Sequence, residues 1–306
     1  MLQWYNASDI PSHFTGGGDI HGPYGLVFDG THIWVANYGS SANSPPQGNG
    51  VTELNASDGS KVGTFTAGGD IVKPCCLAFD GAHIWVANVY GNSVTELNAS
   101  DGSKVGTFTA GGDLKQPEGL AFDGAHIWVA NEGGNSVTEL NASDGSKVGT
   151  FTAGGDLNGP QQLAFDGAHI WVANTQGNTV TELNASDGSK VGTFTAAGAI
   201  GLAFDGAHIW VSNAGVNTLT ELNASDGSIV GTFNAGGNFG VLFDGAHIWA
   251  TNQIYGFNSV TELNASDGSI VGTFTAGGDL YYGVALAFDG AHIWVANSGG
   301  NWVDKL

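Results

Sequence analysis

The 306-residue sequence contains no arginine, and all seven of its basic residues are lysines. With a formal net charge of −21, it lacks the basic surface that neutralises phosphates and supplies most nucleic-acid affinity. The expectation is no nucleic-acid partner and no anionic membrane partner, whereas solubility and cation binding are favoured. No apolar run reaches the ~18 residues that a membrane-spanning helix needs. The only cysteines, Cys75 and Cys76, are adjacent, so no disulfide staples distant parts of the chain. A strained vicinal disulfide and two separate thiols both remain open for them. Prolines number only 7. No 3.6-residue apolar period is found, which argues against helices. Also missing are a nucleophile motif, a Cys/His metal spacing and a phosphate-binding glycine loop followed by a helix.

What is present is repetition. Leu120-Ala-Phe-Asp-Gly-Ala-His-Ile-Trp-Val-Ala-Asn131 recurs, followed each time by a segment like the one beginning Ser136-Val-Thr-Glu-Leu-Asn141. The Phe of Phe-Asp-Gly marks seven copies, at Phe28, Phe79, Phe122, Phe165, Phe204, Phe243 and Phe288. Their spacing is 51, 43, 43, 39, 39 and 45 residues. Such a period, with strand-like content, predicts an all-β fold: a seven-bladed β-propeller with four antiparallel strands per blade. One repeat cannot bury its own faces, so the whole chain, 1–306, is read as one domain. Repeats begin near residues 26, 77, 120, 163, 202, 241 and 286. Asp-Gly between apolar runs predicts a tight hairpin. The 51 glycines fall at fixed turn positions and read as turns rather than disorder.

The two ends are complementary. Asn301 to Leu306 supplies a third strand and stops, while residues 1–15 supply a shortened fourth strand, Ser12 to Thr15. The start of the chain is predicted to complete the last blade and remove an open sheet edge. Trp4 and Trp302 fall near that seam and read as seam packing. Met1 to Ser8 already follows the repeat pattern rather than that of a signal peptide. The protein is expected to be cytoplasmic, or extracellular or periplasmic if a leader has been removed, and to be a monomer.

Differences between the repeats carry the functional signal. The Phe-Asp-Gly-Ala-His and Asn-Ala-Ser-Asp-Gly-Ser turns barely change, while the other two connections vary greatly. In a four-stranded meander both variable connections emerge at the same end. Diverse loops on one face of a rigid scaffold are what a binding face requires. The residue two before each inner-strand Leu or Val is predicted to ring the central channel: Tyr24, Cys75, Glu118, Gln161, Ile200, Phe239 and Val284. With the loop tyrosines Tyr38, Tyr90, Tyr255 and Tyr282, and with Glu132 and Gln176 nearby, these polar groups among apolar ones suit a small polar molecule or a glycan. A protein partner is the next expectation.

The seven repeated histidines, His32 to His292, are read as hydrogen-bonding partners inside their blades, and the seven tryptophans, Trp34 to Trp294, as core between blades. Asp70, Asp113 and Asp156 lie in the variable connections. They are read as loop caps, with Ca²⁺ or Mg²⁺ coordination as the alternative and otherwise no cofactor. The seven Asn-Ala-Ser segments match the N-glycosylation acceptor pattern but read as one polar turn, copied.

Trp34-Val35-Ala36-Asn37, with the Val-Thr-Glu-Leu-Asn that follows in each repeat, resembles the YVTN-type repeat of seven-bladed propellers. Here Trp and Ala stand for that family's Tyr and Thr. The sequence is also similar to NHL-type propellers and to the streptogramin (virginiamycin B) lyase family. The resemblance covers the whole chain and implies a propeller. It says less about function, because propellers host enzymes, lectins and scaffolds alike. The leading expectation is a non-enzymatic binding or interaction protein. The alternative implied by the lyase resemblance is a lyase or lactonase-like enzyme with His21 and Glu118 as base and acid, aided by a divalent ion. The lyase family's catalytic histidines and glutamate have no clear counterparts in these loops. Near-identical repeats also fit recent amplification or design around one blade, with no evolved ligand.

Overall fold

The computed structural model describes residues 12–39, 48–236, 239–254 and 257–306. It contains seven four-stranded antiparallel sheets, arranged as a β-propeller. Blade 1 comprises Pro23–Phe28 as inner strand, then His32–Asn37, Gly50–Asn55 and Lys61–Phe65 as outer strand. The inner strands of blades 2 to 7 are Pro74–Phe79, Pro117–Phe122, Pro160–Phe165, Ala199–Phe204, Val241–Phe243 and Gly283–Phe288. Most inner strands start about three residues before the predicted Leu or Val, because pairing continues past an irregularity in register that the sequence does not announce.

An unbroken apolar run in the second strand explains the layering. In His32–Asn37 the central residues Ile33, Trp34, Val35 and Ala36 are all fully buried, because this strand meets a neighbouring blade on both faces. The core therefore lies between blades. Trp85 and Val94 of blade 2 pack with Ile127, Val129 and Leu140 of blade 3, and Trp128 of blade 3 packs with Ile170 and Val172 of blade 4. Each tryptophan also meets the outer-strand phenylalanine of its own blade, as in Trp85 against Phe108 at 5.7 Å. That phenylalanine covers the turn glycine of the next blade. Gly102 has φ +69°, and a Cβ there would overlap the Phe65 ring, so only glycine fits.

The seventh blade closes as the sequence leads one to expect. Ser12–Phe14 pairs antiparallel with Trp302–Lys305, with Ser12 opposite Lys305 and Phe14 opposite Val303. Phe14 stacks on Trp294 at 5.3 Å and approaches Gly59, repeating the contacts made by Phe65 on Trp34 and Gly102. Trp302 lies on the seam, 4.4 Å from the His13 ring. Trp4 lies outside the described residues.

A second set of clasps was not anticipated. The asparagine just before a third strand accepts a hydrogen bond from the backbone N–H at the entrance to the next blade. The pairs are Lys73 N to Asn49, Gln116 N to Asn92, Gly159 N to Asn135 and Gly198 N to Asn178, at 2.8–3.0 Å. Gly22 N to Asn301, at 2.7 Å, closes the ring in the same way. Asparagine tolerates the left-handed turn required there, as at Asn92 with φ 48°.

Phe14 is only half-buried, so Phe14→Ala is expected to cost about 2 kcal/mol, below the 3–5 kcal/mol of a fully buried Phe. Deleting residues 1–15 is expected to lower stability further and to cause self-association through the exposed edge. Urea denaturation and light scattering measure both, and a truncated chain that stays monomeric and equally stable contradicts the closure.

Candidate functional site

The site is built on the register irregularities. Pairing of the inner strand slips between Pro23 and Gly25, Pro74 and Cys76, Pro117 and Gly119, Pro160 and Leu163, Ala199 and Gly201, and Gly283 and Ala285. A bulge leaves one residue out of the ladder and re-aims its side chain. The released residues are Tyr24, Cys75, Glu118, Gln161, Ile200 and Val284. With Phe239 of blade 6, they line one cavity on the axis, of about 140 Å³. The structure thus brings all seven predicted channel residues together.

Glycine after the bulge permits the close approach. A Cβ at Gly25, Gly119 or Gly201 would strike the main-chain carbonyl of Cys75, Gln161 or Phe239 in the next blade. Blade 7 has Ala285 at this position, while blades 2 and 4 have Cys76 and Gln162, whose polar groups join the lining. Cys76 Sγ lies 2.7 Å from the Glu118 carbonyl, to which its thiol donates, and Gln162 Nε2 donates to Cys76 Sγ and to that same carbonyl, both at 3.3 Å. Gln162 was missed by sequence reasoning, and the available signal was a polar residue where four other repeats have Gly25, Gly119, Gly201 and Gly240.

The cavity has two sides. Blades 1 to 4 supply Tyr24, Cys75, Cys76, Glu118, Gln161 and Gln162 with Leu26 and Leu77, while blades 5 to 7 supply Ile200, Phe239 and Val284 with Leu202, Val241 and Leu286. Burial raises the Glu118 carboxyl to about 7, with the Glu132 carboxylate adding to the shift. Burial also holds the Tyr24 hydroxyl well above its ordinary range, assisted by Glu118. Both cysteines are free thiols. Burial and the neighbouring Cys76 push the Cys75 thiol upwards, so it is not an activated nucleophile.

An aromatic path leads outward from the cavity. Tyr24 and Tyr38 lie 5.3 Å apart, Tyr38 meets Tyr90 edge-on at 6.4 Å, and the Lys73 ammonium sits 4.9 Å over the Tyr38 ring. Tyr90 is 62% exposed. Gln176 Nε2 donates to Glu132 Oε1 at 3.4 Å. Tyr282 packs on Tyr281, is exposed, and lies outside the cavity lining. Tyr255 is outside the described residues.

Glu118 lines the cavity, whereas His21 is not among its lining residues. The acids Asp70, Asp113 and Asp156 do not converge. Each bonds the outer-strand lysine and threonine of the blade it leads into: Lys104 and Thr107, Lys147 and Thr150, Lys190 and Thr193, at 2.7–3.0 Å. The lysine holds each carboxyl below its ordinary value. The signal was in the sequence: blades 5 and 6 lack this aspartate and also replace the lysine, with Ile229 and Ile270.

The class these features define is the seven-bladed β-propeller with a ligand-sized channel mouth on its variable face. The sequence model of the family described as outer membrane protein assembly factor BamB matches residues 90–198. No curated protein matches the sequence. Among solved structures, "Streptogramin B lyase structure" aligns with a TM-score of 0.77 at 18% identity, covering 96% of this chain and 96% of that one. A hydrazine synthase of Kuenenia stuttgartiensis aligns with a TM-score of 0.74 at 15% identity, covering 99% of each chain. At those identities the likeness is one of fold.

The Glu118 shift has a testable sign. Its folded value, about 7, lies above the ordinary 4.5, so the charged form is disfavoured in the folded state. Its contribution is therefore fully present below pH 4.5 and is lost as pH rises through 7. Glu118→Gln is expected to match wild type near pH 4.5 and to exceed it at pH 8 by on the order of 3 kcal/mol at most. Urea melts at the two pH values check this, and an equal gap at both contradicts the buried-carboxyl assignment.

Proposed function

We propose that this chain is a non-catalytic binding protein whose ligand enters the channel mouth. The ligand is a small neutral molecule with one polar and one apolar flank, a single sugar ring being the first candidate. The two-sided cavity carries this reading. Thiols, amides and a carboxyl on one side offer donors and acceptors to hydroxyls. Phe239, Ile200 and Val284 on the other side present apolar surface to a ring face. A volume of about 140 Å³ suits one ring rather than a chain. The net charge of −21 disfavours anions.

An enzymatic reading is favoured by one observation. A carboxyl titrating near 7 inside a recess is poised as a general acid or base. The fold is also shared with a protein titled a streptogramin B lyase. Binding is preferred because the Tyr24 hydroxyl and Cys75 thiol that join Glu118 in the cavity lining are both held protonated by burial.

A panel of methyl glycosides screened by saturation-transfer NMR tests the proposal. Gln161→Ala and Phe239→Ala are each expected to weaken binding of a hit about tenfold, in line with the loss of one hydrogen bond or one ring contact. Asn141→Ala, on the constant face, is expected to leave it unchanged. Binding insensitive to both cavity variants removes the site. Turnover of any bound compound, abolished in Glu118→Gln, favours the enzyme instead.

A further inference from the structure

The face opposite the channel mouth carries a separate, repeated arrangement. In blade 1, His32 Nδ1 lies 3.2 Å from Asp29 Oδ2 and 3.1 Å from Glu53 Oε1. The aspartate comes from the first turn, the histidine opens the second strand, and the glutamate lies on the third strand opposite Trp34. Blades 2 to 5 repeat the set with Asp80, His83 and Glu96; Asp123, His126 and Glu139; Asp166, His169 and Glu182; and Asp205, His208 and Glu221. In all five, the three ligand atoms lie within 4.8 Å of one another. Asp244, His247 and Glu262 of blade 6 form a looser version, with distances of 3.4 and 3.3 Å to the imidazole.

Three independent features call for a cation here. The first is a buried carboxylate: Glu53, Glu96, Glu139 and Glu182 are only 3–4% exposed, and each is ion-paired with the imidazole of its own set. Burying a carboxylate is costly unless cationic partners offset the lost hydration. The second is distance. Imidazole-to-oxygen separations in blades 1 to 5 are 3.1–3.3 Å, longer than the ~2.7–2.9 Å of charge-assisted hydrogen bonds. They match the roughly 3.4 Å edge of a tetrahedron whose metal–ligand bonds are about 2.1 Å. The third is the seventh blade. Opposite its Trp294 stands Lys305 instead of a glutamate. The Lys305 ammonium lies 3.8 Å from Asp289 Oδ2 and 5.2 Å from the Trp294 ring centre. The blade without the glutamate thus carries a cation of its own.

We propose that blades 1 to 5 each bind a borderline divalent ion of the Zn²⁺ type through Asp Oδ2, His Nδ1 and Glu Oε1, with water in the fourth position, and that blade 6 provides a weaker sixth site. The nitrogen donor selects against Ca²⁺ and Mg²⁺. The tryptophan Nε1–H, donating at 2.8 Å to the same aspartate oxygen in blades 1 to 5, orients that ligand. Entry is open, because the histidines are 24–30% exposed in these blades. Between blades 2 and 3, a groove lined by Asp80, His83, Phe122 and His126 leads to the site.

The test uses the full chain, stripped with chelator, loaded with Zn²⁺, desalted and counted by mass spectrometry. Five or six ions per chain are expected, with none retained from Mg²⁺ or Ca²⁺. Glu96→Gln is isosteric and is expected to lose one ion, whereas Lys305→Glu creates a seventh blade set and gains one. The double variant Cys75→Ser/Cys76→Ser is expected to keep the wild-type count. No zinc retained by the wild-type chain, counts unchanged in both Glu96→Gln and Lys305→Glu, or loss confined to the cysteine variant would overturn the proposal.

Discussion

Everything in this fold depends on one hydrogen bond made seven times. The aspartate of each first turn takes the indole Nε1–H of its blade's tryptophan on Oδ2, at 2.7–2.9 Å. Its other oxygen accepts two backbone N–H groups of the same turn, as Asp29 does from Thr31 and His32. The tryptophan can then be fully buried without leaving a donor unpaired, which would cost about 1–3 kcal/mol. Once buried, the indole supports the outer-strand phenylalanine, and that ring seals the turn glycine of the next blade. One carboxylate therefore joins turn, strand and neighbour. Because each blade relies on the next, the N-terminal strand must supply Phe14 where the seventh repeat stops short.

This arrangement divides the molecule by face. At the constant end, turns, imidazoles and carboxylates are tied into the blades, so sequence change there breaks structure. At the other end, asparagine clasps and Asp–Lys pairs fix the backbone, leaving the bulged residue of six inner strands out of the ladder and turned to the channel, with Cys75 and Val284 also touching the core there. That residue changes from Tyr24 to Glu118 to Val284 while the strand pairing around it stays the same. The channel mouth is therefore where chemical difference between blades accumulates, and it does so asymmetrically, with a polar arc and an apolar arc.

Blade number, strand order, ring closure and the tryptophan core were legible in the sequence because each rests on a local signal repeated seven times. The channel residues could also be located, since counting back from Leu26 and its equivalents lands on the bulge even though the bulge itself was invisible. The roles of Asp70, Asp113 and Asp156 were harder to read. Their partners, Lys104, Lys147 and Lys190, lie 34 residues further on, and only comparison between repeats reveals the pairing. His21 does not line the cavity, because position in a variable loop does not fix whether a side chain reaches the axis. The glutamate beside six of the seven repeated histidines was missed altogether. Glu53 and its equivalents sit in strands whose register against His32 cannot be read from a single chain.

The central claim is that the Asp–Trp bonds make seven blades one cooperative ring. Native-state hydrogen exchange of the seven indole Nε1–H groups tests it directly. Trp34, Trp85, Trp128, Trp171, Trp210 and Trp294 are fully buried, whereas Trp249 is only partly so. The six should exchange only through global unfolding, with one shared free energy and one shared denaturant dependence, and Trp249 should exchange first. Six indoles exchanging blade by blade, each with its own free energy and little response to denaturant, would contradict the account.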